Sequence, residues 1–169
     1  ILGESAELLK AKPQDVPGRI SALQAQIREM QRENESLRSR LSGVEAGRLL
    51  EQVRSVNGVP FLAARIGDAG MDQLRAMADG LRDKLGSCVV VLASPAGDKV
   101  NIVAAVTPDL VSKGFHAGRI AKETAAFCGG GGGGRPDMAQ AGGKDVSKIA
   151  GALEQAERVV AQQAEQLQE

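Results

Sequence analysis

The 169-residue chain has no Trp, no Tyr and three Phe, so aromatics make up 2% of it. Surfaces that bind nucleic acid by stacking successive bases need aromatic rings in series, and such a platform is excluded. One His and two Cys cannot supply a four-ligand Cys/His zinc site within one chain. Two Cys are also too few for a disulfide framework, which points to a reducing, cytosolic setting. The 21 Lys and Arg balance 21 Asp and Glu, for a formal net charge of zero. A globally basic nucleic-acid glove is thereby excluded, though a local basic face is not. No apolar run reaches the ~18 residues of a membrane span. The first residue is Ile1, not Met, no signal-peptide pattern follows, and the chain reads as a fragment of something longer. What the chain does have is 43% hydrophobic residues, enough for a core, and 21 glycines, above the roughly 7% of an average protein. A mass of 17.6 kDa fits one domain, or a small domain with a helical extension.

Residues 1–54 carry no strand signal and read as a helical subdomain. Ile1 to Lys10 look like the end of a helix, broken at Ala11-Lys12-Pro13-Gln14 because proline cannot continue the hydrogen-bond ladder. Asp15 is suited to cap a new helix, with Pro17 in its first turn. From there Ile20, Leu23, Ile27, Met30, Asn34, Leu37, Leu41 and Val44 alternate steps of three and four, the seam spacing of a coiled coil. The seam fades where Gly43 and Gly47 weaken the helix. Two readings stay open. The helix packs on its own chain, or it forms a dimer seam between two chains, in which Asn34 would set the register. Whether residues 1–54 form one helix or a hairpin is open as well.

Residues 55–169 have a different texture and read as a globular subdomain. Ser55 to Ile66 reads as one strand with an irregularity at Gly58 to Pro60. Met71, Leu74, Met77, Ala78, Leu81 and Leu85 recur at helical spacing and stop at Gly86. Cys88 to Ala93 reads as a buried central strand, Ser94 to Asp98 as a turn, and Lys99 to Val106 as the second arm of an antiparallel hairpin. Phe115 to Cys128 reads as helix and Met138 to Ala141 as a short strand. Asp145 or Gly143 opens a last helix with Ile149, Leu153, Ala156, Val160 and Leu167 on one face. The fold class is α+β: N-terminal amphipathic helices of coiled-coil type, then a small domain whose mixed or antiparallel sheet is flanked by helices.

The most informative segment is Lys113 to Lys144, KGFHAGRIAKETAAFCGGGGGGRPDMAQAGGK. Gly129, Gly130, Gly131, Gly132, Gly133 and Gly134 have no side chains to bury and are expected to form neither helix nor strand. Their exposed N–H groups suit an anion nest, typically for phosphate. Lys113 and His116 open the preceding helix, and Arg119 and Lys122 lie three apart on one face of it. Arg135 closes the glycine run and Lys144 lies beyond it. Five cations here face only Glu123 and Asp137, so the segment is positive within a neutral chain. The plainer alternative is a flexible linker with a solvated helix beside it.

Known signatures fail here. The run follows a helix, where a dinucleotide fingerprint follows a strand, and Gly134 leads into Arg135-Pro136, where a P-loop needs Lys-Ser/Thr. His116 has no nucleophile partner in sequence. Cys128 is expected to be a small buried spacer and Cys88 a core residue. Nothing reads as a catalytic centre.

The stretch GFHAGRIAKETAAFCGGGGGGRPDMAQAGGKD resembles the C-terminal, or C-Ala, domain of alanyl-tRNA synthetases, an accessory domain that DHH-type phosphodiesterases also carry. The helical leader LKAKPQDVPGRISALQAQIREMQRENESL resembles the segment that follows the editing domain in that family. The resemblance implies a non-catalytic fragment of an alanine–tRNA ligase. The parent's ATP, Mg and editing-site zinc would be bound upstream, with no cofactor in this fragment. It implies a tRNA partner bound at its outer corner, dimerisation through the helical part, and a cytoplasmic location. By position, Gly129 to Gly134 and Arg135 would face the nucleic acid. Lys113, His116, Arg119, Lys122 and Lys144 join them on charge and position. Phe115 is the one aromatic assigned near this patch, and it is expected in the core. Two rivals remain: the substrate domain of a DHH phosphodiesterase holding a single strand, and a structural dimerisation module with a glycine linker.

Overall fold

The structure, a computed structural model, describes Lys10 and residues 12–167. The side chains of Glu35 and residues 37–46 lie outside that description, and so do the proposed seam positions Leu37, Leu41 and Val44. The chain divides into two compact units, Ile1–Val44 and Glu45–Glu169.

Pro13–Asp15 forms a 3-10 turn, and helix α1 follows over Val16–Leu50. Pro17 sits in the first turn, where its missing N–H costs no hydrogen bond. Gly43 and Gly47 do not end the helix, since each costs only ~1 kcal/mol against Ala in a helix interior. Ile20, Leu23, Ile27 and Met30 are 43%, 37%, 54% and 60% exposed, and Asn34 is exposed with them.

The second unit is built on a six-stranded mixed sheet in the order β1-β2-β3-β4-β6-β5. Strands β1 (Arg54–Val56) and β2 (Val59–Arg65) form a hairpin. The single strand expected over Ser55 to Ile66 is therefore two strands. Asn57 and Gly58 turn between them with φ of +49° and +83°, the left-handed pair that a tight two-residue hairpin needs. Helix α2 (Met71–Leu85) stops at Gly86, whose φ is +76°, and carries the chain over to β3 (Val89–Ala96), parallel to β2. Strand β4 (Lys99–Val106) returns antiparallel, as expected of the hairpin. Ser94 to Ala96 stay in β3 and do not form the turn. Pro95 is tolerated because β2 pairs with β3 only as far as Ala93, which leaves no partner there for its missing N–H.

A short helix α3 (Pro108–Ser112), absent from the sequence reading, leads to α4 (Ala117–Phe127). The glycine run then departs from expectation: Gly131–Gly134 is strand β5. Strand β6 (Met138–Gly143) inserts between β4 and β5, antiparallel to both. Pairing with β6 supplies the order that glycine side chains cannot. Asp145 accepts a hydrogen bond from the Ser147 amide, and a 3-10 turn leads into α5 (Ile149–Gln166).

Alternation along the strands separates two cores. Val89, Val91, Ile102, Ala104, Ala139 and Ala141 face α4 and α5, with Phe115, Ile120, Ile149 and Val160. Leu62, Val90, Leu92, Val103 and Ala105 face α2, with Leu74, Leu81 and Leu49. The central strands are covered on both faces, which is why Cys88 to Ala93 is an unbroken apolar run. Each large side chain fully buried here contributes about 1.5–3 kcal/mol by leaving water.

Candidate nucleic-acid interface

Helix α4 lies against β5 and fixes it. The Ala117 amide donates to the Pro136 carbonyl at 2.8 Å, and the Gly130 amide donates to the Ala125 carbonyl at 2.9 Å. The start of the helix is thus tied near one end of the strand and its last turn near the other. Gly118 is required at the contact, because a Cβ there would stand 2.6 Å from the Gly134 carbonyl oxygen. His116 caps α4: its Nδ1 accepts from the Arg119 amide at 3.4 Å, and its own amide donates to Gln163 Oε1 at 3.1 Å. The histidine chosen for charge is thus occupied as a helix cap.

The glycines of the run fall into two classes. At Gly130, Gly132 and Gly134 an added Cβ would come within 1.8, 2.4 and 2.7 Å of β6 backbone atoms. Gly129 takes a φ of +65° at the end of α4. These four have reasons inside the chain. Gly131 and Gly133 do not: their φ is not in the left-handed region, and nothing lies within 4 Å of a Cβ placed on either. Both are exposed, on a strand that is the last in the sheet and pairs on one side only.

The cations are distributed unevenly. Arg135 Nε lies 3.3 Å from Asp137 Oδ1, and Arg119 Nε lies 3.0 Å from Glu123 Oε1. Arg119 also donates to Gln166 Oε1 at 3.2 Å. Exposed pairs of this kind are worth about 0–1 kcal/mol, so a phosphate can displace the carboxylate. Lys113, Lys122 and Lys144 are exposed and make no ion pair among the described residues. The Lys144 amide donates to the Cys128 carbonyl at 2.9 Å, which puts it at the Gly129 end of the run, opposite Arg135. Lys122 is one helical turn beyond Gly118 on the same stripe of α4. Lys113 is not part of this group: it lines a separate cavity of about 510 Å³ with Asn57, Pro60, Phe115 and Leu167.

Two features escaped the sequence reading. Arg75 on α2 lines a cavity of about 420 Å³ with Gly133, Gly134, Arg135 and Gln140. No local pattern could reveal it, since the two arginines are far apart in the chain. Phe127 is 45% exposed at the end of α4, its ring against Gly151, where a Cβ would stand 2.5 Å away. Phe115, by contrast, is buried as expected.

The cysteines are inert. Both are free and buried. Burial, then the negative charge of Asp109, pushes the Cys88 thiol up to about 11. Burial, then Asp145, raises that of Cys128. Neither has the depressed pKa of a nucleophile. Among the described residues no three His, Cys, Asp or Glu side chains group as metal ligands. No helix among those residues is long and apolar enough to cross a membrane.

The family model of the DHHA1 domain matches residues 58–162, most of the sheet unit and its glycine strand. The chain belongs to the DHHA1 family. Within it, the domain is similar to the C-Ala domain of alanyl-tRNA synthetase from Aquifex aeolicus, with a TM-score of 0.60 and 31% identity over 64% of this chain and 97% of that one. The chain is 58% identical over 153 residues to the alanine–tRNA ligase of Geobacillus kaustophilus, and 55% identical over 157 residues to that of Geobacillus thermodenitrificans. Those matches cover 90% and 93% of this chain but 17% and 18% of the two ligases, so the chain spans under a fifth of their length. RecJ from Thermus thermophilus shares the fold, at a TM-score of 0.57 and 14% identity.

Proposed function

We propose that this C-Ala-type domain is a non-catalytic, cytosolic tRNA-docking and dimerisation piece of a longer alanine–tRNA ligase. It binds the outer corner of the L-shaped tRNA. The acceptor end is thereby kept at high effective concentration near aminoacylation and editing sites outside residues 1–169.

The observation that supports this reading most strongly is the pair Gly131 and Gly133. No contact within the chain calls for glycine at either position, yet both present bare backbone on an edge strand. A missing side chain with no internal reason suits the close approach of a partner's backbone. Lys122, Arg135 and Lys144 supply the positive charge that a phosphate backbone needs. With no Trp or Tyr, recognition rests on shape, phosphates and 2′-hydroxyls.

The test is binding of the 169-residue chain to an alanine tRNA transcript across a salt series, beside single-stranded DNA of equal length and Arg135→Ala. The expected result is a preference for tRNA, an affinity that falls with salt, and a shallower slope for the variant. Preference for the single strand would favour a phosphodiesterase-type role instead. No binding of either at low salt would sink the docking reading.

The dimerisation part has its own support in the exposed row Ile20, Leu23, Ile27 and Met30 on α1. Sedimentation that shows a monomer at every accessible concentration removes it.

A further inference from the structure

We propose that Arg75 of α2 and Arg135 grip one phosphodiester between them, so that the nucleic-acid backbone meets the glycine strand from the α2 face of the sheet. The proposal rests on the nucleic-acid-binding reading and adds which face is used and a residue, Arg75, that carries it.

The register decides the face. Val103 pairs with Gln140 and Ala105 with Met138 across β4 and β6, and Gln140 pairs with Gly133 across β6 and β5. Directly paired residues share a face. Val103 and Ala105 belong to the core under α2, so Met138, Gln140 and Gly133 face the α2 side. Gly131 follows by alternation, paired with Gly142. Gly132 and Gly134 pair with Ala141 and Ala139 and face α4 and α5.

The α4 side is already filled. Gly118 presses on the Gly134 carbonyl, and Arg119 is bound to Glu123 and Gln166. Helix α2, by contrast, packs over β3 and β4 and leaves the β6–β5 part of its face open. That opening is the cavity of about 420 Å³ bounded by Arg75, Gly133, Gly134, Arg135, Met138, Ala139 and Gln140. Its size lies within the range of small-ligand sites.

Its chemistry suits an anion. Arg75 and Arg135 both line the cavity, and each guanidinium offers a planar fork of donors that matches phosphate oxygens. Gln140 adds an amide. Arg75 is exposed and makes no ion pair among the described residues. Asp79, one turn further along α2, is held by Arg82 at 2.9 Å instead. Arg135 makes an exposed contact with Asp137, and Asp72 lies three residues before Arg75 on α2. Gly133 in the lining, with the paired Gly131 and Gly142 further along the same face, lets a ribose-phosphate chain lie flat where a side chain would lift it.

The test uses the full 169-residue chain with an alanine tRNA transcript and, separately, single-stranded RNA of equal length, in a salt series. The proteins are wild type, Arg75→Ala, Arg135→Ala and the double variant. Thermal melts confirm that Arg75→Ala, an exposed change, folds as the wild type does. Arg75→Ala should weaken binding about tenfold and reduce the salt slope by about one. The double variant should lose less than the product of the two single losses, because both arginines hold one phosphate. The RNA showing that loss identifies the source of the phosphodiester. Unchanged affinity and slope for Arg75→Ala, with Arg135→Ala weakened, overturns the α2-side grip and leaves the docking function standing. Wild-type protein that binds neither RNA at low salt overturns both.

Discussion

Helix α1 and the sheet unit use apolar residues in opposite ways. Along α1, Ile20, Leu23, Ile27 and Met30 repeat at seam spacing and remain exposed. In the sheet unit, Leu62, Leu74, Leu92, Ile102 and Ile120 are buried completely. The first arrangement leaves its hydrophobic free energy to be collected from something else. The second collects it within the chain. The glycine strand repeats the contrast on a smaller scale. Gly132 is determined by its neighbours, and Gly133 answers to nothing inside the molecule.

The comparison breaks most sharply in the core. Leu92→Ala should destabilise the sheet unit by about 2–5 kcal/mol, read by denaturant unfolding, because the hole lies under α2 with no room to collapse. A loss below 1 kcal/mol would mean that the two-faced core is looser than its burial indicates.

The two classes of glycine give the next effect. Gly132→Val should cost about 1–3 kcal/mol by forcing β5 away from Ala141. Gly133→Val should stay within about 0.5 kcal/mol of wild type while weakening tRNA binding. Equal stability losses for both would erase the distinction between internal and external demand.

A smaller effect concerns Asp109. The Ser87 hydroxyl, then that of Thr107, holds its carboxyl below the ordinary range. A depressed folded pKa adds stability above the unfolded value and loses it as pH falls through the folded one. Asp109→Asn should therefore cost less than about 1 kcal/mol near neutral pH, the group being exposed and screened. The gap to wild type should close in acid, below the carboxyl's lowered range. A gap that persists there would assign the effect to geometry and not to charge.

The smallest stability effect belongs to α1. Ile27→Glu should move unfolding of the sheet unit by under about 0.5 kcal/mol. Its effect should appear in sedimentation, as a shift toward monomer. A large change in unfolding would show that α1 is stabilised within its own chain.

Several elements were legible from the residues because their signals are local. The 3–4 spacing of α1, the run ending at Gly86, the apolar arms on either side of Gly97 and the face of α5 from Ile149 to Val160 are each local, whereas Leu167 lies past the end of α5 and is 43% exposed. Asn57-Gly58 is equally local, since Asn-Gly suits the left-handed pair of a two-residue hairpin. Strand β5 was not legible. Glycine carries no strand propensity, and Gly131–Gly134 is a strand only because β6 returns beside it. The cations of Lys113 to Lys144 are visible as charge, but that His116 caps α4 and that Lys113 lines a separate cavity follows only from packing. The exposure of Phe127 follows from the packing of α4 on α5 and has no local signature.

The amino-acid sequence by itself determined the helical seam, the apolar strands, the helix stops and the family to which the glycine stretch belongs. The first three rest on periodicity or on backbone freedom within a few residues, and the family rests on resemblance alone. The tertiary structure alone decided that β6 enters between β4 and β5. It alone decided that alternate glycines turn to opposite faces, and that Arg75 and Arg135 line one cavity with Gly133. Those outcomes depend on strand register, which is set by the burial of side chains distant in the chain and has no local signature.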